Sequence, residues 1–147
     1  MPVVYLGLGS NLSDRQQNLE RAVAALDQEA GVRVRRVSSF HVTAPYGVED
    51  QAEFLNGVVE LETSLEPSSL LAAVQRIEEK LGRVPTYRWG PRVIDIDILL
   101  YDRLRWNCPE LTIPHPGILE RPFVTAPLAE LAPERLEELR RDASVQV

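Results

Sequence analysis

The spacing of apolar residues along the chain switches between a period of two and one near three and a half, and the switches mark its elements. Apolar residues alternate over Pro2–Leu8, which predicts a strand running into the turn Gly7-Leu8-Gly9-Ser10-Asn11. Ser13 and Gln16 form a capping box, so a helix should begin near Asp14. Leu19, Val23 and Leu26 supply its buried stripe, and Gly31 follows its end. Val32–Val42 reads as one long strand interrupted by a bulge at Arg35-Arg36. The stretch from Thr43 to Gln51 reads as a loop long enough to move. Alternation returns over Phe54–Thr63, with Val59 and Leu61 opposed to Glu60 and Glu62. Pro67 suits the first turn of a second helix, whose stripe is Leu70, Val74, Ile77 and Leu81 and which Gly82 closes. Val93–Tyr101 is the strongest strand pattern. Beyond Asp102 the pattern weakens. Trp106-Asn107-Cys108-Pro109 reads as a turn, Leu111–Ile113 as a short strand, and the rest as proline-punctuated turns and short helices.

The order β-α-β-β-α-β is that of the ferredoxin-like split unit. The expected class is therefore α+β: a sandwich with an antiparallel sheet, helices on one face and the other face free, plus an extra C-terminal strand and short helices. No repeat and no linker interrupts the chain, so residues 1–147 should form a single domain. The fold serves many functions, and the function must be read from a site.

Composition narrows the classes. No apolar run can span a bilayer and no charged start precedes an apolar stretch, which gives the expectation of a cytoplasmic protein. Cys108 is the one cysteine, too few for a disulfide framework. The net charge of −6 argues against a non-specific nucleic-acid binder. The charge is uneven, however. No acid stands between Leu81 and Ile94, where Arg83, Arg88, Trp89 and Arg92 gather. On charge alone, a solvated loop and a local anion site both stay open.

The most informative stretch is Arg92-Val93-Ile94-Asp95-Ile96-Asp97-Ile98. On a strand, Asp95 and Asp97 project from one face while Ile94, Ile96 and Ile98 enter the core. Two carboxylates in such a position make an oxygen cradle suited to magnesium, and two ions held there could bridge phosphate oxygens. A plain solvated strand face is the other reading. The flanking arginines favour the first, since guanidinium forks grip phosphate oxygens. Other phosphate devices are missing: there is no Walker A motif, and Gly7-Leu8-Gly9 lacks a third glycine and reads as a tight turn. No His/Cys cluster suggests zinc. His41 reads as a strand surface residue, while His115, held between Pro114 and Pro116, suits a positioned role.

Taken together, Gly9-Ser10-Asn11-Leu12, Phe54-Leu55-Asn56, Arg88-Trp89-Gly90-Pro91-Arg92 with Asp95-Ile96-Asp97, and Leu111-Thr112-Ile113-Pro114-His115-Pro116 resemble the 6-hydroxymethyl-7,8-dihydropterin pyrophosphokinase family, from Val4 to about Pro133. The resemblance implies an enzyme of folate synthesis that uses ATP as co-substrate and two Mg2+ ions. The pterin hydroxyl attacks the β-phosphorus and AMP leaves. It further implies Asp95 and Asp97 as metal ligands, with Asp97 also orienting the hydroxyl, Arg92 and His115 as catalytic contacts of the phosphates, and Arg83, also catalytic, with Trp89 on the loop that closes over ATP. Phe54 and Phe123 match the rings that sandwich the pterin, Asn56 the reader of its edge, and Thr43 and the backbone near Tyr46 further pterin contacts. Gln75, Glu78, Trp89, Arg92, Thr112, His115 and Arg121 match the nucleotide side. Partners are then small molecules, with no nucleic acid and no membrane, acting on a monomer. The chain departs from some members at Pro85, where a second loop arginine would stand, at Glu110 in place of an arginine, and at Phe54 in place of a tyrosine. Loops after Asn11, around Gly47 and around Arg88 are the candidates for closure over substrate. Two other classes share the topology: a non-catalytic ligand-binding module and an RNA-binding sheet. Neither has a use for paired carboxylates beside arginines.

Overall fold

The computed structural model describes residues 1–12, 14–43, 53–82 and 93–145. Ser13, Tyr46, Arg83, Trp89 and Arg92, and the loops around Gly47 and Arg88, lie outside the described residues.

The first alternating stretch forms strand β1, Val3–Ser10, with Val4, Leu6 and Leu8 buried. Gly7 and Gly9 are strand residues without a positive φ, not turn residues as their spacing suggested. Helix α1, Arg15–Gln28, is capped by Asp14, whose carboxylate accepts the Gln17 N–H at 3.0 Å. The cap falls one residue later than the Ser13 box, because an ionised carboxylate at the positive helix end makes the stronger bond.

The long strand expected over Val32–Val42 is two strands, β2 at Val32–Val37 and β3 at His41–Thr43. Both pair with β4, Phe54–Thr63, on the same side. Between them Ser38 replaces strand pairing: Val58 N–H donates to its Oγ at 2.8 Å, while Ser38 N–H donates to Val58 O at 2.9 Å. Phe40 folds over Gly57, where a Cβ would stand 2.7 Å from the ring. The bulge in β2 is where the arginines predicted it, between Val34 and Arg36. It turns both Arg35 and Arg36 onto the buried Glu60.

Helix α2, Pro67–Lys80, leads through Gly82 (φ +101°) toward strand β5, Asp95–Tyr101. The antiparallel sheet has the order β2-β4-β1-β5, which is the ferredoxin-like arrangement. One core lies between the sheet and helices α1 and α2, with Leu6, Leu61, Ile96 and Ile98 facing Leu19, Leu26, Leu70 and Val74.

The region after Asp102 holds more structure than its pattern promised. Trp106–Cys108 is strand β6, not a turn, and pairs with β7, Leu111–Ile113. Helices α3, Pro122–Leu131, and α4, Pro133–Val145, follow a short 3-10 turn at Ile118–Glu120. They cover part of the sheet face expected to be free, where Val58, Leu99 and Leu100 meet Val124, Leu128, Leu131 and Leu136. The apolar residues of α3 surround most of its circumference and Pro127 sits inside it, so no clean helical stripe announces it.

Candidate active site

The second face of the sheet carries the candidate residues. In an antiparallel pair, residues directly opposite each other project to the same face. Gly9 stands opposite Asp95 on one side and Asn56 on the other; Gly7 stands likewise between Asp97 and Val58. Asp95 and Asp97 therefore share a face with Asn56, as the alternation of the isoleucines requires. Ile96 and Ile98 are buried beneath them, on the α1–α2 side.

Gly9 is what lets the two halves of this face approach. A Cβ there would lie 2.8 Å from Asn56 Oδ1 and 3.6 Å from Phe54 Cδ1. The amide of Asn56, itself 7% exposed, thus lies across β1 toward the carboxylates. Its Nδ2 donates to Thr43 Oγ1 at 2.6 Å, so β3 fixes the rotamer. Thr43 is paired with Phe54 and His41 with Asn56, which places these side chains in adjoining rows.

A third group comes from the chain after β7. His115 N–H donates to Leu99 O at 2.9 Å, which docks this segment along β5. His115 Nδ1 accepts the Gly117 N–H at 3.1 Å, so the neutral ring carries its proton on Nε2. Burial, and then the charge of Arg121, push the His115 pKa down, against the opposing pull of Asp95. The Arg121 guanidinium fills the space a side chain at Gly117 would need, 2.7 Å from that Cβ position, and its carbon lies 5.9 Å from the centre of the Phe123 ring.

The structure thus brings Asp95, Asp97, Thr43, Phe54 and Asn56 onto one face, with His115, Arg121 and Phe123 on the segment docked beside it. It does not bring Gln75 there: that residue is exposed on α2, which packs on the opposite face. Thr112 is exposed on β7, and its hydroxyl donates to Asn107 Oδ1 at 3.3 Å. Glu78 is 4% exposed, and its Oε2 accepts the Ile96 N–H at 2.8 Å. Tyr46, Arg83, Trp89 and Arg92 lie outside the described residues.

Sequence reasoning passed over three supports. Asn18 donates to Ser10 Oγ at 3.1 Å and to Leu12 O at 2.9 Å, holding the end of β1. An asparagine beside Leu19 on the buried stripe of α1 was the available signal. Gly9 was assigned to a turn. Glu130 on α3 accepts from Ser39 and bonds His41 Nε2 at 2.7 Å, and these bonds pull its pKa down to about 2. No local pattern announces that pair, because its partners are 89 residues apart.

A model of the 7,8-dihydro-6-hydroxymethylpterin-pyrophosphokinase family matches residues 5–133. The chain is 52% identical over 129 residues to the 2-amino-4-hydroxy-6-hydroxymethyldihydropteridine pyrophosphokinase of Bacillus subtilis, covering 88% of this chain and 77% of that one. It is 46% identical over 134 residues to the protein of the same name from Methylorubrum extorquens, covering 91% and 85%. Among solved structures, the HPPK-DHPS protein of Plasmodium falciparum with pteroate superposes with a TM-score of 0.72 at 16% identity. That likeness covers 90% of this chain and 39% of the longer one, and it speaks to the fold.

Proposed function

We propose that this chain, which belongs to the 7,8-dihydro-6-hydroxymethylpterin-pyrophosphokinase family, moves the terminal diphosphate of ATP onto the hydroxymethyl group of 6-hydroxymethyl-7,8-dihydropterin in folate synthesis. The observation that carries the reading is the shared sheet face. Asp95 and Asp97 stand on one side of β1, Asn56 and Phe54 on the other, and the bare Gly9 lies between. The reaction needs a heterocycle pocket and a triphosphate site within one substrate's length, and this face supplies donors for both.

The donor set suits magnesium. Among the described residues, no three His, Cys, Asp or Glu side chains gather to hold a metal. Two carboxylates would leave the remaining positions to water and phosphate oxygens, the usual coordination of Mg2+ beside a nucleotide. Asp95 and Asp97 would hold two such ions, whose charge would offset that of the triphosphate.

The chain's own residues then align the reactants. Phe54 and Phe123 hold the flat ring by stacking. Asn56, fixed by Thr43, reads its edge with one remaining donor and an acceptor. Asp97 orients the hydroxyl and takes up its proton as the oxygen bonds the β-phosphorus. The bond from that phosphorus to the bridging oxygen breaks, and AMP leaves with the oxygen. Neutral His115 offers its Nε2–H, and Arg121 a fixed positive charge, to the phosphate oxygens. The resemblance adds Arg83, Arg92 and Trp89 on the nucleotide side and the backbone near Tyr46 on the pterin side.

The test is product identity. Incubated with ATP, Mg2+ and the pterin alcohol, the protein should form AMP and the pterin diphosphate in equal amounts, and neither without Mg2+. Formation of ADP, or no consumption of ATP, overturns the reading.

A further inference from the structure

We infer that Glu78 is a positioning residue: by accepting the Ile96 N–H, its buried carboxylate fixes the stretch of β5 that presents Asp95 and Asp97. The inference rests on the functional reading above and goes beyond a nucleotide contact for Glu78.

Strand β5 ends the sheet order and pairs only with β1 among the described strands. Among the described residues, its outer edge finds its hydrogen-bond partners outside the strands. Two are described. Near the head of the strand, Ile96 N–H donates to Glu78 Oε2 at 2.8 Å. Farther along, Leu99 O accepts from His115 N–H at 2.9 Å. Backbone groups alternate in direction along a strand, so an outward Ile96 N–H turns the amides of Asp95 and Asp97 toward β1. The bond to Glu78 thus falls on the peptide between the two carboxylates. It closes the one edge that β1 leaves open there.

Burying this carboxylate is costly unless hydrogen bonds offset it, and the bond from the Ile96 N–H is one that does. A carboxylate only 4% exposed loses most of its hydration, and α2 could have filled the place with another apolar residue of its stripe beside Ile77 and Val74. An apolar side chain would pack there but would leave the Ile96 N–H without this acceptor. Groups that orient ligands typically change metal affinity or activity by about ten- to a hundredfold when removed. A displacement of about 1 Å in reacting groups has an effect of about a hundredfold.

Three variants separate geometry from charge. Glu78→Gln keeps an acceptor at the same reach. Glu78→Leu fills similar space without one, and Glu78→Asp keeps the charge but draws it back from Ile96. Two readouts are taken on the full chain: AMP formation, with kcat and both KM values, and Mn2+ broadening of the Asp95–Asp97 amide signals in NMR spectra. For Glu78→Leu and Glu78→Asp we expect kcat down by roughly ten- to a hundredfold, about tenfold more Mn2+ for half-broadening, and pterin KM within about twofold. Glu78→Gln should stay within about threefold of the parent in both readouts. If Glu78→Leu does not fold, Glu78→Asp and Glu78→Gln decide alone. The inference is overturned if Glu78→Asp matches the parent, if Glu78→Gln is damaged as much as Glu78→Asp, or if only the KM for ATP moves. A parent protein that forms no AMP defeats the functional reading, while the Mn2+ titration still judges the tie. A parent whose amides Mn2+ never broadens defeats both.

Discussion

Replacing Gly9 by alanine probes the face through one methyl group. The new Cβ would stand 2.8 Å from Asn56 Oδ1, where a carbon–oxygen contact ordinarily needs about 3.3 Å, so the amide must move by roughly 0.5 Å. It cannot move freely, since Asn56 is buried and its Nδ2 is held by Thr43 Oγ1 at 2.6 Å. Two effects on folding nearly cancel. Alanine removes backbone entropy from the unfolded chain, worth about 0.5–1 kcal/mol. A weakened buried hydrogen bond costs about 0.5–1.5 kcal/mol. Binding has no such compensation. A misplaced polar reader in a closed pocket costs about 1–3 kcal/mol, or roughly 5- to 150-fold in affinity. Isothermal calorimetry should therefore show pterin binding weakened at least about fivefold, with Tm shifted by no more than a few degrees. Gly7→Ala is the internal control: its Cβ would meet Leu99 at 3.5 Å, an ordinary contact, and pterin affinity should not change. Equal pterin affinity in the Gly9→Ala variant and the parent would refute the reasoning.

Other perturbations separate the site from the scaffold. Asp97→Asn should cut AMP formation by at least about a hundredfold while thermal unfolding stays near the parent's, because only a charge is lost; near-normal turnover contradicts its role. Tyr5→Phe removes the 2.6 Å bond from the Tyr5 hydroxyl to Glu60, at the opposite end of the sheet from Asp95. It should cost about 1 kcal/mol in urea unfolding and leave kcat unchanged. Hydrogen bonds from Ser39 and His41 hold the Glu130 pKa at about 2, below its ordinary 4.5. A depressed carboxylate pKa stabilises the fold above the unfolded value, and that contribution is lost as pH falls from about 4.5 toward 2. The stability gap between the parent and Glu130→Gln should accordingly close as pH falls across that acid window; a gap unchanged between about pH 5 and 2 would contradict the pairing.

What the sequence disclosed, and what it hid, follows from the range of the interactions. The period-two pattern over Phe54–Thr63 and the paired aspartates of β5 depend on neighbours along the chain, so both were legible. The bulge at Arg35-Arg36 was legible because a strand that breaks alternation must distort. The split at Ser38–Phe40 was hidden, since it depends on the hollow at Gly57 across the sheet. Strand β6 was hidden because a three-residue strand has no room to show a period. Gly9 was misread because a glycine needed for close approach looks like one needed for a turn. Glu78 was assigned to the nucleotide side by resemblance alone. Its position four after Val74 puts it at the edge of the buried stripe, but only the strand packed against α2 supplies the Ile96 N–H that explains it.

The most direct measurement of the central claim is a crystal structure with Mg2+, a non-hydrolysable ATP analogue and the pterin alcohol bound together. Metal should lie about 2.0–2.1 Å from oxygens of both Asp95 and Asp97, and the pterin ring between Phe54 and Phe123 with Asn56 at its edge. Metal bound away from these carboxylates, or a pterin seated elsewhere than on this face, would contradict it.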